Sequence, residues 1–447
     1  MKKLFGTDGV RGVANSELTP EIALNLGRAG AHVLAKTPSP KILVATDSRR
    51  SGDMLVSALS AGLCSVGAEV YLAGVIPTPA VAYLVRHLQF DAGVMISASH
   101  NPMADNGIKF FSHTGYKLSD ALEEEIEGYV AAPEKLPRPT GVNVGTVHAY
   151  PSASEEYAAY LHSIVPGLSL KGVNIALDSA NGATSYIAAG VFESLGASVH
   201  PLFNTPDGTN INENCGSTHI EALADYVKAN KLDLGLAFDG DGDRMLAVDG
   251  NGEFVDGDEI LAICGLDMKE RGLLPGDAIV ATSMSNQGFE VMCRQHGITL
   301  HRADVGDRYV LEKMLADNLP LGGEQSGHVI FGQHSTTGDG MLSGLLLVDV
   351  LARKKKPLAE LRRVMEHFPQ VLINVNVDNA KKREWASYPE IADMIAKFDA
   401  LMAGEGRILV RPSGTEPLVR VMIEGRDMGE ITRMAEALAA IIGELLV

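Results

Sequence analysis

The sequence has few cysteines, no low-complexity tract and no long hydrophobic run. Its four cysteines are scattered over 447 residues without a Cys-x-x-Cys pair, so we expect small buried thiols in a reducing compartment. The most apolar stretch, 341–352, contains Asp349 and is too short to cross a bilayer. Two lysines precede Gly-Thr-Asp-Gly at 6–9, without the apolar segment of a signal peptide. These features predict a cytoplasmic protein without a membrane partner.

Basic residues are also in deficit. The 38 lysines and arginines face 56 aspartates and glutamates, which gives a formal net charge of −18. Such a charge opposes nonspecific attraction to nucleic acid and to anionic membranes. We therefore expect neither as a partner, and an anionic ligand would need local basic groups. The apolar fraction of 46% and the charged fraction of 21% are typical of a globular protein, and the length predicts two to four domains.

One local pattern occurs three times along the chain. It consists of a strand, a polar turn, a helix, a glycine C-cap and a second strand, and it covers 41–72, 173–202 and 278–301. This is the βαβ unit of a mostly parallel sheet. Each copy is followed by a loop between short apolar runs, at 93–111, 234–248 and 321–331. Because ligands bind at the carboxyl ends of such strands, the three loops are predicted to face one cleft.

The last ~80 residues break this pattern. They predict strands at 371–377, 407–410 and 418–423 and an amphipathic helix at 428–446. The expected fold is α/β, with three similar mixed-sheet domains that carry helices on both faces, plus a C-terminal α+β domain, around a central cleft. The predicted domains, named for the motifs they contain, are a serine domain 1–152, an acidic-loop domain 153–253, a Glu-Ser-His domain 254–368 and an arginine-loop domain 369–447.

The acidic loop at 239–244 predicts a metal site. Asp239, Asp241 and Asp243 alternate with glycines, and such an all-oxygen donor set suits a hard cation such as Mg²⁺. An EF-hand is excluded, because Arg244 and Gly250 stand where that motif needs a glycine and a glutamate. The alternative is an Asp/Gly turn between two strands. Three neighbouring carboxylates are costly without a cation, which favours the metal site.

The loop at 93–102 places a hydroxyl, that of Ser99, directly after an apolar run. A serine beside a cation is what phosphoryl transfer through a phosphoserine needs. A serine hydrolase is disfavoured because the Gly-x-Ser-x-Gly elbow is absent. The remaining alternative is a polar loop capped by Ser and Asn side chains. We expect Ser99 to be a surface residue, whose replacement costs little stability.

Two further loops have ligand-binding compositions. Glu324, Ser326 and His328 occupy alternate positions, so an extended backbone would direct them to one face, where they suit sugar hydroxyls. The alternative is a glycine-rich turn with solvated side chains. The segment 411–420 combines two arginines, two hydroxyls and a glycine, a phosphate-binding composition. An ordinary hairpin turn is the alternative there.

With these loops, the chain resembles the α-D-phosphohexomutase family over its whole length. The motifs are Phe-Gly-Thr-Asp-Gly-Val-Arg-Gly at 5–12, Ser-Ala-Ser-His-Asn-Pro at 97–102, Asp-Gly-Asp-Gly-Asp-Arg at 239–244, Gly-Gly-Glu-Gln-Ser-Gly-His at 322–328 and Arg-Pro-Ser-Gly-Thr-Glu-Pro at 411–417. The resemblance implies four domains around a cleft, a phosphoserine, one Mg²⁺ per chain, and interconversion of hexose 6- and 1-phosphates through a bisphosphate.

The resemblance also implies a role for each matching residue. Ser99 would be the phosphorylated serine, and a phosphoryl oxygen on it would join Asp239, Asp241 and Asp243 as a metal ligand. The residues implied near the reacting hydroxyl are Arg11, Lys109 and His328. Those implied at the sugar hydroxyls are Glu324 and Ser326. Those implied at the non-reacting phosphate are Arg411, Ser413, Gly414, Thr415 and Arg420.

The motif variants are most similar to those of bacterial amino-sugar members of the family. They imply interconversion of glucosamine 6-phosphate and glucosamine 1-phosphate through glucosamine 1,6-bisphosphate, as a supply for UDP-N-acetylglucosamine and cell-wall synthesis. The partner would then be a small hexosamine phosphate. The alternatives are a phosphomannomutase/phosphoglucomutase of the same family and a phosphosugar-binding protein without turnover. The sequence does not predict the oligomeric state.

Overall fold

The computed structural model describes residues 4–6, 8–413 and 416–446. Contacts divide this part of the chain into two compact units. The first unit contains the residues up to Ser283 together with His301–Arg362. The second contains Met284–Leu300 and the residues from Arg363 onward. Within the described residues, no helix is both long and apolar enough to span a membrane.

The first sheet of unit one has six strands in the order β1-β5-β4-β2-β3-β6. Its strands are β1 (Val10–Val13), β2 (Lys41–Thr46), β3 (Glu69–Val75), β4 (Ala92–Ile96), β5 (Asp105–Ser112) and β6 (Val147–Ala149). Its helices are α1 (Pro20–Leu34), α2 (Gly52–Cys64), α3 (Thr78–His87) and α4 (Asp120–Ala131). Strand β2 pairs in parallel with β3 and β4, whereas β5 is antiparallel to β4. Every residue of β4 is buried, as expected for a strand covered on both faces.

The second sheet has the order β11-β10-β9-β7-β8. Its strands are β7 (Asn174–Asp178), β8 (Ser198–Leu202), β9 (Leu234–Phe238), β10 (Met245–Asp249) and β11 (Phe254–Val255). The helices of this segment are α5 (Ala153–Ile164), α6 (Ala188–Ser194) and α7 (Glu221–Asn230). Strands β7, β8 and β9 are parallel, and β10 returns antiparallel to β9. The acidic loop is the connection between β9 and β10.

The third sheet has the order β13-β12-β14-β15. Its strands are β12 (Ala278–Thr282), β13 (Thr299–Ala303), β14 (Leu321–Gly323) and β15 (Val329–Phe331). The helices of this segment are α8 (Gly257–Glu270), α9 (Gln287–Gln295), α10 (Asp307–Asp317), α11 (Gly340–Lys354) and α12 (Leu358–Leu361). Helix α8 begins at a capping box in which Asp256 and Glu259 each accept the other's backbone N–H. Residues 324–328 connect β14 to β15.

The fourth sheet, in unit two, has three antiparallel strands in the order β16-β18-β17. They are β16 (Gln370–Asn376), β17 (Gly406–Pro412) and β18 (Leu418–Gly425), with helices α13 (Pro389–Met402) and α14 (Met428–Leu446). Exposed and partly buried residues alternate along β16, the pattern of a strand with one face on a core. Buried side chains of α14 at helical spacing, among them Ile431, Leu438 and Ile442, join that core.

The predicted fold class is confirmed, because three mixed sheets with helices precede a different α+β segment. The three predicted loops follow β4, β9 and β14, which places them at corresponding strand ends. One difference concerns 284–300, which includes α9. By contacts it groups with the C-terminal unit, whereas the sequence pattern assigns it to 254–368. The domain boundaries therefore stay predictions.

Candidate active site

Ser99 lies on the loop after β4 with its backbone in the left-handed region, at φ 51°. Its hydroxyl donates a hydrogen bond to Asp239 Oδ2 at 2.5 Å and lies 3.3 Å from His100 Nδ1. The residue is only 1% exposed. The expectation of a surface serine is therefore wrong, because a loop 140 residues downstream covers the hydroxyl.

Gly240 allows the acidic loop to approach the serine loop, residues 97–105 from the end of β4 to the start of β5, so closely. A Cβ atom at this position would lie 2.5 Å from the Ser99 carbonyl oxygen and 2.7 Å from Asn212 Nδ2. Both distances are too short for any side chain. The glycine between two aspartates is thus needed for contact between the loops as well as for the bend of its own loop.

The three aspartates of the acidic loop are buried side by side, and one carboxylate oxygen of each lies within 4.8 Å of the others. Protein groups donate hydrogen bonds to several of these carboxylate oxygens. Asp241 Oδ2 accepts from Lys109 Nζ at 2.8 Å and from Thr78 Oγ1 at 2.6 Å. Asp239 Oδ1 accepts from the Arg244 backbone N–H at 3.1 Å. These donors hold the loop in place while the three carboxylates stay close together.

This donor set fits a hard divalent cation. Within the described residues, Asp241 Oδ1 and Asp243 Oδ1 are buried without a hydrogen-bond partner. Burial, reinforced by the carboxylates of Asp243 and Asp241, raises the pKa of Asp239 well above its usual value. Burial also opposes the charge on Asp243, but His328 and Lys109 hold its pKa below the usual value. A cation would relieve the repulsion, and carboxylate oxygens are the ligands that Mg²⁺ prefers.

An ion-pair chain extends from the acidic loop through Lys109, Asp8, Lys117, Asp307 and His328. Lys109 Nζ lies 2.9 Å from Asp8 Oδ2, and Lys117 pairs with both Asp8 and Asp307. His328 Nε2 lies 3.8 Å from Asp307 Oδ2, and its Nδ1 lies 3.5 Å from Asp243 Oδ2. The chain therefore begins at one predicted metal ligand, Asp241, and returns to another, Asp243.

The protonation of two members of this chain follows from their surroundings. Burial alone would lower the pKa of Lys109, but Asp241 and Asp8 raise it above its usual value, so the ammonium keeps its charge. Burial likewise opposes a charge on His328, while Asp243 and Asp307 raise its pKa on balance. The Gly338 backbone N–H, however, donates to His328 Nε2 at 3.0 Å. That contact favours the tautomer with its proton on Nδ1, toward Asp243.

Arg11 is more exposed than the members of the ion-pair chain and forms an ion pair with one of them, Asp8. Its Nε is buried without a hydrogen-bond partner in the described residues, so the guanidinium has donor capacity left for an anion. A cavity of about 240 Å³ is lined by three members of the ion-pair chain, Lys117, Asp307 and His328.

The sugar loop, residues 324–328, differs from the serine loop in exposure. Glu324 is partly buried, and its Oε1 accepts a hydrogen bond from the Gly306 backbone N–H at 3.1 Å. Burial opposes the charge on Arg244, but the carboxylates of Asp243 and Asp239 raise its pKa above the usual value. The Glu324 carboxylate makes a smaller contribution in the same direction. Ser326 is exposed and His328 is buried. The structure thus connects Glu324 and His328 to the acidic loop and leaves Ser326 at the surface.

The arginine loop lies in unit two. Arg411 on β17 and Arg420 on β18 are directly opposite in the antiparallel register. Like charges in this position destabilise a sheet, and the Glu416 carboxylate, 3.4 Å from Arg420 Nη2, offsets part of the repulsion. Arg420 Nε is buried without a partner in the described residues, and Ser413 Oγ accepts the Glu416 N–H at 3.1 Å. Gly414 and Thr415 lie outside the described residues.

Four residues at this site were not predicted from the sequence: Asp8, Thr78, Lys117 and Asp307. Asp8 belongs to the motif at 5–12, so that motif was a signal for it. Thr78 stands between Pro77 and Pro79 at the start of α3, where its hydroxyl and N–H both reach Asp241. Lys117 and Asp307 are single charges without a local pattern, and they meet across 190 residues of sequence.

Comparison with known proteins agrees with this architecture. Residues 2–136, 155–252 and 256–368 match the alpha/beta/alpha domains I, II and III of phosphoglucomutase/phosphomannomutase, and 372–441 match its C-terminal domain. The phosphoglucosamine mutase of Clostridium botulinum (strain Eklund 17B / Type B) is 54% identical over 444 residues, which cover 99% of each chain.

Solved structures with the same fold include two that match over nearly the whole chain. A phosphoglucomutase/phosphomannomutase family protein from Burkholderia thailandensis has a TM-score of 0.82 at 24% identity, over 99% of this chain and 98% of that one. The N-acetylphosphoglucosamine mutase of Aspergillus fumigatus, in complex with GlcNAc-6P and magnesium, has a TM-score of 0.65 at 18% identity, over 99% and 96%. Because all four domains match and a relative is 54% identical over 99% of the chain, the chain belongs to the phosphoglucomutase/phosphomannomutase family, the α-D-phosphohexomutases.

Proposed function

We propose that this chain is a phosphoglucosamine mutase, which interconverts glucosamine 6-phosphate and glucosamine 1-phosphate through a phosphoserine at Ser99. The observation that carries the proposal is the hydroxyl of Ser99 at 2.5 Å from a cluster of three buried aspartates. The substrate assignment is supported by the relative that is 54% identical over 99% of the chain. The product would supply UDP-N-acetylglucosamine and cell-wall synthesis.

One Mg²⁺ per chain belongs to this proposal, held by Asp239, Asp241, Asp243 and a phosphoryl oxygen on Ser99. The buried carboxylate oxygens without partners support this ligand set, as does the magnesium in the Aspergillus fumigatus enzyme. When bound, the ion neutralises charge on the transferred phosphoryl group. The protein side chains then have to orient the serine and the attacking hydroxyl.

In the proposed reaction, a free sugar hydroxyl attacks the phosphorus on Ser99. The new O–P bond forms as the Ser99 O–P bond breaks, and the hydroxyl proton passes to a base. The sugar is now glucosamine 1,6-bisphosphate. After it turns end over end, its other phosphoryl group returns to Ser99, which restores the phosphoserine and releases the isomeric monophosphate.

Three basic side chains have separate roles in this proposal. Lys109 keeps its proton between Asp241 and Asp8, so it stabilises negative charge on the moving phosphoryl group. Arg11 has an unpartnered buried Nε for a phosphoryl oxygen. His328 is placed near the reacting hydroxyl, where its Nδ1–H faces Asp243 and helps to keep that carboxylate charged.

Substrate binding is divided between two loops in this proposal. Glu324 and Ser326 contact the sugar hydroxyls, and the Glu324 carboxylate also favours an ammonium at the 2-position. Arg411, Ser413, Gly414, Thr415 and Arg420 bind the phosphate that is not reacting. The opposed arginines and the unpartnered Arg420 Nε support an anion at the second loop.

The proposal keeps the predicted domains 1–152, 153–253, 254–368 and 369–447, and it includes a cytoplasmic location. The location is supported by the free cysteines Cys64, Cys215, Cys264 and Cys293, because lasting disulfides mark oxidising compartments.

One pair of measurements tests the proposed function. Intact-protein and peptide mass spectra should show one phosphoryl group, on Ser99. Steady-state kinetics with catalytic bisphosphate present should give a larger kcat/KM for glucosamine 6-phosphate than for glucose or mannose 6-phosphate. A higher kcat/KM for mannose or glucose 6-phosphate would make the chain a phosphomannomutase/phosphoglucomutase. An unphosphorylated, inactive protein would make it a phosphosugar-binding protein.

A further inference from the structure

Beneath the serine loop lies one arginine whose side chain is completely buried. Arg49 follows β2, and its Nε donates to Asp47 Oδ2 at 2.9 Å, with both side chains at 0% exposure. The backbone N–H of Arg49 also donates to Asp47 Oδ1 at 2.9 Å. The carboxylate therefore fixes both the position and the plane of the guanidinium.

The other four N–H groups of this guanidinium point into the serine loop. Arg49 Nη2 donates to the carbonyl oxygens of Ser99 at 3.0 Å and of Asn101 at 2.7 Å. Arg49 Nη1 donates to the carbonyls of Pro102 and Asp105, the latter at 3.1 Å. A guanidinium has five N–H donors, and all five are used here. One side chain thus donates hydrogen bonds to four carbonyls within residues 99–105, the segment that begins with the reactive serine.

A second contact joins the same carboxylate to the reactive residue. Ser97 Oγ donates to Asp47 Oδ2 at 2.6 Å and accepts the backbone N–H of Ser99 at 2.9 Å. Ser99 is therefore held at its N–H through Ser97 and at its carbonyl through Arg49. Asn212 reinforces the second contact, since its Nδ2 donates to the Ser99 carbonyl at 2.9 Å.

The backbone conformation of Ser99 explains why such support is required. A non-glycine residue at positive φ is strained, and it persists only where its surroundings over-determine it. The same conformation aims the hydroxyl at Asp239. If the loop relaxed, the hydroxyl would leave the line of attack, and displacements of about 1 Å can cost a hundredfold in rate.

From these contacts we propose that Arg49, oriented by Asp47, is the positioning residue for the phosphoryl-carrying serine, and that Ser97 is its second support. The inference rests on the proposed function of Ser99. None of the three residues needs to touch the substrate. Their removal should therefore lower the rate of phosphoryl transfer and leave substrate binding unchanged.

The test compares Arg49→Lys with Arg50→Lys. Lysine keeps the charge of Arg49 but has one nitrogen, so it cannot reach four carbonyls in two directions. We expect kcat to fall about tenfold to a hundredfold, with KM within about twofold of wild type. Arg50 is adjacent and exposed, so its variant should keep the wild-type kcat and KM.

Ser97→Ala provides a second, smaller change, which decides the matter if Arg49→Lys does not fold. It should lower kcat at unchanged KM and slow the formation of phospho-Ser99 from glucosamine 1,6-bisphosphate, measured by rapid quench and mass spectrometry. Wild-type kcat in Ser97→Ala, or in a folded Arg49→Lys that has lost only thermal stability, would overturn the inference. Wild-type protein that gains no phosphate on Ser99 from glucosamine 1,6-bisphosphate would instead overturn the proposed function.

Discussion

The serine loop and the sugar loop follow buried strands at corresponding places in two similar sheets, yet they are built differently. The serine loop has its carbonyls bound by Arg49 and Asn212, and Ser99 is 1% exposed. In the sugar loop, Glu324 is partly buried with Oε1 on one backbone N–H, and Ser326 is exposed. One scaffold thus supports a buried loop held by several hydrogen bonds and a more accessible loop with few of them.

This difference follows from what each loop is proposed to do. A phosphoryl carrier has to return to the same position in both halves of the reaction, so fixed hydrogen bonds lower its reorganisation cost. A sugar loop has to bind the bisphosphate in two orientations, so its side chains need freedom to exchange partners. If the comparison is sound, substitutions in the serine loop and the metal cluster should affect kcat most, and those in the sugar loop should affect substrate preference.

The largest effect is expected for Ser99→Ala. Without the oxygen there is no phosphoserine, so mutase activity should fall at least about a thousandfold, or roughly 4 kcal/mol of transition-state stabilisation. The protein should stay folded and lose its phosphate in intact-protein mass spectra. Ser57→Ala, an exposed serine on α2, is the control. Retained turnover in Ser99→Ala would remove the basis of the comparison.

Removal of the cation should come next. EDTA should abolish turnover and Mg²⁺ should restore it, because the three aspartates repel one another without a counter-charge. Mg²⁺ at about 100 times its Kd should also stabilise the protein by about 2.7 kcal/mol, seen as a higher unfolding temperature. Asp241→Asn should lose this thermal response, and the exposed Asp207→Asn should keep it. Full activity of metal-free protein would contradict the metal assignment.

A smaller loss is expected for Arg411→Ala. It removes a charge-assisted contact with phosphate worth about 1.5–3 kcal/mol, so kcat/KM should fall about tenfold to over a hundredfold. It also removes one of two like charges that face each other across β17 and β18, so stability should not suffer. Arg433→Ala, exposed on α14, is the matched control. An unchanged kcat/KM would mean that the phosphate binds elsewhere.

The smallest effect is expected for Glu324→Gln, which tests what the sugar loop recognises. The change keeps shape and removes charge, so kcat/KM for glucosamine 6-phosphate should fall about threefold to tenfold more than for glucose 6-phosphate. Glu253→Gln, an exposed glutamate of the same unit, should change neither. Equal losses for both sugars would show that Glu324 contacts only hydroxyls that they share.

Local pattern predicted the secondary structure better than it predicted the environment of the site. Helix α14 spans Met428–Leu446, as its apolar spacing predicts, because a single amphipathic period determines such a helix. The burial of Ser99 could not be predicted, since its cover comes from Asp239, 140 residues away. The pairing of Lys117 with Asp307 could not be predicted either, because a single charged residue forms no repeating sequence pattern that would indicate its partner.

The ion-pair chain bears on how this protein can be recombined. It starts at Asp241, passes through residues from the first and third sheet segments, and ends at Asp243. The three α/β segments look like interchangeable modules, but each contributes members to one closed circuit of charge. A chimaera whose first segment lacked Lys109 would leave the buried carboxylate of Asp241 without its cation, at a cost of about 3–5 kcal/mol. Exchanging one segment therefore requires exchanging the partner ions on the other two.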